Sequence, residues 1–144
     1  MPDFRPPRPT QPPQESAAEI YLKSHTADIL NFRQTEAIAP LLDHLKVYAE
    51  DKGRSLTTSQ LRNIFSKVKP IATRQKLQLI RPKLAYVAAR QKSGLAEQVV
   101  NFLESIIKKV ETDAQVKDFV AFFEAFVAYH KFAESKDKKA GGGK

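Results

Sequence analysis

Cysteine is absent from the 144 residues, which excludes disulfides, thiolate zinc sites and cysteine nucleophiles together. Tryptophan is absent too, methionine occurs once, and three of the five glycines sit together as Gly141-Gly142-Gly143. So few glycines leave little material for β-turns or for a loop that cradles phosphate with backbone amides. Long apolar runs are also missing. A membrane helix needs about 18 uninterrupted apolar residues, and the best stretch, Val120 to Tyr129, is broken by Glu124. A secretory signal needs an apolar segment of about 7–15 residues behind a positive start, whereas residues 1–14 are Pro-rich and polar. The protein is therefore expected to be soluble and cytoplasmic, without a membrane partner.

The most telling absence is of one sign of charge. From residue 52 to residue 96 there is no Asp or Glu, yet that stretch carries Lys52, Arg54, Arg62, Lys67, Lys69, Arg74, Lys76, Arg81, Lys83, Arg90 and Lys92. Residues 1–51 sum to −3 and residues 97–144 to 0, so the net +8 of the chain arises entirely in the middle. A solvated helix ordinarily mixes signs, because Glu–Lys pairs four apart each add roughly 0.2–0.5 kcal/mol; Glu104 and Lys108 make such a pair. A stretch that forgoes them accepts self-repulsion unless an anion supplies the counter-charge. This face is accordingly expected to meet phosphates. The competing reading is a chance excess of charge that aids solubility.

With 42% hydrophobic and 28% charged residues, the rest of the composition is that of one globular domain. Six prolines in residues 2–13 predict a disordered arm over 1–14, ahead of a single helical domain over 15–134 and a flexible Lys/Gly tail over 135–144. Arg8-Pro9-Thr10-Gln11-Pro12 matches a short Pro-rich ligand pattern of a kind that arises often by accident. The segment from Glu15 to Phe32 reads as helical or irregular. Ile38, Leu41, Leu42, Leu45, Tyr48 and Ala49 then recur three and four apart, with Pro40 placing a helix start nearby and Gly53 its end. Thr57 and Gln60 form a capping box ahead of Leu61, Ile64, Phe65 and Val68, and Pro70 stops that helix.

A third helix is expected from about Thr73 to Lys92, with Leu77, Ile80, Leu84, Val87 and Ala88 on one face and Pro82 either kinking it or opening a second piece. At about 100° per residue, Arg74, Arg81 and Lys92 fall on one flank of that stripe and Lys76, Lys83 and Arg90 on the other. After Gly94, Leu95, Val99, Phe102, Leu103, Ile106, Ile107 and Val110 form an amphipathic stripe. A last helix from about Asp113 carries Val116, Phe119, Val120, Phe123, Phe126 and Val127, with Phe122 beside the stripe. No alternating run argues for a strand. The expectation is an all-α compact bundle of four to six short helices.

Chemistry-bearing motifs are scarce. His25, His44 and His130 lie on different segments with no second ligand at helical spacing, so no metal site is expected. No nucleophile elbow and no phosphate-binding Gly-rich loop occurs, and no Arg is followed by a His at the spacing of a helical RNase. Neither catalysis nor a cofactor is expected. The phenylalanines of the last helix coincide with its valines on one face, which favours core packing over base stacking, while Phe122 and Phe132 lie off that stripe, where a neighbouring subunit could cover them. Tyr86 sits outside the main stripe of its helix amid Lys83 and Arg90; stacking on a base, touching a partner and covering a packing edge all fit it. No base-reading motif is visible, so any nucleic-acid binding should follow the backbone without sequence preference.

Three stretches, Leu56-Thr57-Thr58-Ser59-Gln60-Leu61-Arg62-Asn63-Ile64, Arg81-Pro82-Lys83-Leu84-Ala85-Tyr86-Val87-Ala88-Ala89-Arg90 and Glu124-Ala125-Phe126-Val127-Ala128-Tyr129-His130-Lys131-Phe132, together resemble the small helical subunit of the type III-A CRISPR interference complex, the Csm complex. The resemblance spans Leu56 to Phe132. It implies a non-catalytic helical bundle, present in several copies, that packs along a guide RNA–target RNA duplex beside the backbone subunit and the large polymerase-like subunit. Carried onto matching positions, it makes Arg62, Arg81, Lys83, Tyr86 and Arg90 candidate RNA contacts, and it gives Tyr129, His130 and Lys131 to helix packing or a subunit junction, with Lys131 a further candidate for RNA contact. The carboxylate-free stretch adds Lys67, Lys69 and Arg74 to that set. One other function fits the charge pattern, a protein-interaction module whose basic face docks an acidic partner; a small helical nuclease would need RNA cleavage that disappears on mutation of His130, and no such activity is expected.

Overall fold

Helix starts in the computed structural model, which describes residues 16–51, 55–91 and 94–141, fall mostly where a side chain or a proline answers the unpaired amides of a first turn. In α1 (Ala17–Ser24), Ser16 Oγ accepts from the Glu19 amide at 3.1 Å. The single turn of α2 (Thr26–Ile29) follows directly after His25. Ahead of α3 (Ile38–Asp51), Thr35 Oγ1 accepts from the Ala37 amide at 3.2 Å and donates to Asp28 at 2.7 Å. Pro40 is the third residue of α3, where its missing N–H would have had no helical partner.

The expected capping box opens α4 (Thr58–Val68): Thr57 Oγ1 accepts from the Gln60 amide at 3.0 Å and Gln60 Oε1 accepts from the Thr57 amide at 2.9 Å. A second box of the same design precedes α8 (Asp113–Gly141), where Thr112 and Gln115 exchange side-chain-to-amide bonds of 3.2 Å each. That Thr-x-x-Gln spelling was equally available in the sequence. Between them run α5 (Arg74–Gln78), α6 (Ile80–Gln91) and α7 (Gly94–Lys108). The Pro-rich arm over 1–14, Gly53, and the cations Lys52, Arg54 and Lys92 lie outside the described residues.

The architecture is all-α, and no strand occurs among the described residues. It has more helical segments than the four to six that periodicity predicts. The stretch from Glu15 to Phe32 supplies two short ones, and the single run expected from Thr73 to Lys92 is two helices. The break is chemical: the ring of Pro82 collides with the carbonyl four residues back, and α5 ends at that residue, Gln78. Pro82 is then the third residue of α6, as Pro40 is of α3.

The long α8 is the spine, with α3 and α4 laid along it and α6 packed on α7. Phe119, Phe122, Phe123 and Phe126 are fully buried. Phe123 stacks on Phe65 of α4 at 5.8 Å between ring centroids, and Phe126 meets Tyr48 of α3 at the same separation. Phe122 therefore belongs to the core rather than to a subunit contact: it stands edge-on to Phe32 at 5.8 Å and to Phe102 of α7 at 6.3 Å. Its angular position places it beside the apolar stripe, and a helix packed on two sides buries that flank as well. Leu95, expected inside, is 40% exposed at the start of α7.

Polar links tie the outer segments to the spine. Asp118 of α8 is buried and accepts from the Arg33 amide at 3.0 Å and from its Nε at 2.9 Å. His130 is buried, with Nε2 2.7 Å from the Leu56 carbonyl and Nδ1 3.0 Å from the Thr58 hydroxyl, so it clamps the start of α4 onto α8. Tyr21 of α1 lies between two imidazoles, His25 at 3.9 Å and His44 of α3 at 3.7 Å. The three histidines thus occupy packing positions on separate elements. No helix among the described residues is long and apolar enough to cross a membrane.

Candidate nucleic-acid interface

Two helices of the carboxylate-free stretch, α4 and α6, stand side by side and leave a groove of about 580 Å³ between them. Helical phase determines what each contributes. On α4 the buried stripe is Leu61, Ile64 and Val68, so Gln60, Asn63 and Lys67, spaced three and four apart, project together from the neighbouring face into the groove. On α6 only Ile80 and Leu84 are buried, and Lys83, Tyr86 and Arg90 form the equivalent row from the facing side. The floor is apolar, made by Ile64, Ile80 and Val87, with the exposed Pro82 beside them in the lining. Among the described residues, no carboxylate lines the groove.

Tyr86 is the most solvent-exposed aromatic ring among the described residues, at 63%, and the Arg90 guanidinium lies 5.8 Å from its ring centroid. Both belong to one face of α6, four residues apart, which is the spacing that brings two long side chains together on a helix. The groove thus joins three cations, Lys67, Lys83 and Arg90, to an aromatic ring and an apolar bed.

The other expected contacts are placed elsewhere. Arg62 on α4 and Lys69, the residue that caps its end, stand seven apart and are exposed on the side of that helix turned away from the groove. Arg81 falls on the far flank of α6 and pairs with Glu104 of α7 at 3.2 Å, with Gln78 Oε1 at the same distance. Glu104 also holds Lys108 at 3.5 Å, the pair read from the sequence. Arg74 donates from its amide to Asp113 at 3.0 Å and from Nη1 to the Glu111 carbonyl at 2.8 Å, joining α5 to the turn before α8. Lys131 is exposed on α8 and does not line the groove. The next residue, Phe132, is 46% exposed between the ammonium groups of Lys46 and Lys136, 5.4 and 4.7 Å from its centroid.

The two flanks read from α6 are therefore distinct surfaces. One flank, with Lys83 and Arg90, opens into the groove; the other, with Arg81, faces α7, where Ala85, Ala88 and Ala89 lie against Glu97 and Glu104. Gln60 is read from the sequence only as a capping residue, and neither it nor Asn63 stands among the candidate contacts. Their spacing to Lys67 on a known helix was the signal that would have found them.

A family model described as Csm2 Type III-A matches residues 36–136, more than two thirds of the chain. The match runs from just before α3 into α8, so it holds both walls of the groove and leaves α1 and α2 outside. It also extends the resemblance seen from Leu56 to Phe132 toward the N-terminus. No curated protein and no solved structure matches.

Proposed function

The chain belongs to the Csm2 type III-A family, the small subunit of the Csm CRISPR complex, and from that premise we propose that it holds the backbone of the complex's guide and target RNA in the groove between α4 and α6. Family membership already implies a crRNA-containing complex with other subunits, and generally a structural, non-catalytic part in it. The finer assignment rests on one observation: three cations from two helices converge on a groove that no carboxylate of the described residues lines, while the neighbouring Arg74 and Arg81 are bound to acceptors of their own protein.

The physics of such a groove favours a polyanion. Lys67 reaches in from α4, and Lys83 and Arg90 from α6; their mutual repulsion disfavours the empty state and is relieved when phosphate enters. Arg90 offers a planar fork to a phosphate and the lysines act as mobile point charges. None of these contacts reads a base edge, so sequence is left to pairing between the RNA strands. The backbone subunit, the large polymerase-like subunit and further copies of this chain remain the expected neighbours. Exposed apolar groups away from the groove, including Phe132, Ile20 and Val47, are available to them.

The test is a gel-shift titration of the purified chain with RNAs of unrelated sequence. Replacing Lys67, Lys83 and Arg90 together by alanine should weaken binding to all of them alike, by about 10-fold or more near physiological salt. Replacing Arg74 and Arg81 should cost much less affinity. Equal losses from the two sets of substitutions would refute the assignment of the groove.

A further inference from the structure

We propose that the groove between α4 and α6 takes an unpaired nucleotide, base and phosphate together, so that the chain prefers RNA with accessible bases to a closed duplex. The inference rests on the RNA-binding reading above and goes beyond it, since backbone contact needs only the cations. Two features have no use in phosphate binding. The first is the apolar lining of Ile64, Ile80 and Val87 at the floor and the exposed Pro82 beside them. Hydrocarbon under a phosphate strips water from the anion without replacing its hydrogen bonds, whereas a base laid on the same floor removes apolar surface from water.

The second is Tyr86, a large ring left 63% exposed at the rim with the Arg90 guanidinium 5.8 Å from its centroid. A tyrosine–guanidinium pair is a stacking platform for any base, because every base offers a π face. Lys83, on the same face of α6, and Lys67, across the groove, lie where the phosphate attached to that base needs a counter-charge. Asn63 adds an amide that can both donate to and accept from a base edge. The volume of about 580 Å³ is in the range of small-molecule sites. In an A-form duplex the bases are paired and stacked, and the protein meets phosphates and hydroxyls instead. A duplex can engage the rim cations; it cannot fill the floor.

The test is fluorescence anisotropy of the full-length chain with three labelled RNAs: a single-stranded oligoadenylate, a strand of the same length made of abasic ribose phosphate, and the oligoadenylate annealed to its complement. The intact single strand should bind about 10-fold or more tighter than the abasic strand, and tighter than the duplex. Tyr86→Ala should abolish the difference between intact and abasic strands, and Tyr86→Phe should preserve it. Circular dichroism of both variants checks that the helices are intact, as expected for so exposed a side chain. Equal affinity for intact and abasic strands, with both still weakened by loss of Lys67, Lys83 and Arg90, overturns the base site and leaves the backbone reading standing. Failure to bind any of the three RNAs, with binding of a polyglutamate peptide instead, overturns both.

Discussion

A lysine or arginine can serve a ligand only when its own protein has not already engaged it, and the basic stretch divides on that ground. Arg74 and Arg81 satisfy acceptors on α7 and the turn before α8, so their charge is spent in holding the fold together. Lys67, Lys83 and Arg90 converge on a groove that no carboxylate of the described residues lines. Burial raises similar questions for polar groups of the core. Tyr48 is fully buried, its hydroxyl has no hydrogen-bond partner among the described residues, and burial, aided by the charge of Glu19, pushes its ionisation far above the usual phenol range. The hydroxyl is therefore a neutral, unpaired dipole that costs stability. Tyr48→Phe should leave the protein unchanged or more stable, by up to about 1–2 kcal/mol in chemical denaturation. A loss of more than about 1 kcal/mol would mean that this hydroxyl has a partner after all.

Among the elements, α6 is the least anchored of the longer helices: it buries Ile80 and Leu84, whereas α7 buries Ala96, Val99, Val100, Phe102, Leu103, Ile106 and Ile107. A helix with a thin apolar face opens more readily, and its remaining surface is open to a ligand. Amide hydrogen exchange should be faster in α6 than in α7, and saturating RNA should slow it in α4 and α6 but not along α3. Slowing confined to α3 or α8 would move the binding surface elsewhere. Much of this was legible beforehand. The split of α6 into a Lys83–Arg90 flank and an Arg81 flank follows from phase alone, and the Thr57–Gln60 box opened α4 as expected. What periodicity could not supply was tertiary. Glu104 and Asp113 engage Arg81 and Arg74 from 23 and 39 residues away in sequence, and the burial of Phe122 depends on Phe32 and Phe102 arriving from other elements.

For the whole molecule, the question is whether an excess of +8, all of it arising between residues 52 and 96, acts as a diffuse cloud or as a defined surface. The fold distributes it unequally: part lies against acidic neighbours, part is exposed on the far side of α4, and part lines one groove within the stretch matched by the Csm2 type III-A family. The salt dependence of single-stranded RNA binding separates these cases most directly. Each phosphate neutralised contributes about −0.7 to the log–log slope, so removing Lys67, Lys83 and Arg90 together should make the slope shallower by about 2. A triple variant that binds RNA with the unaltered slope of the parent chain would contradict the account.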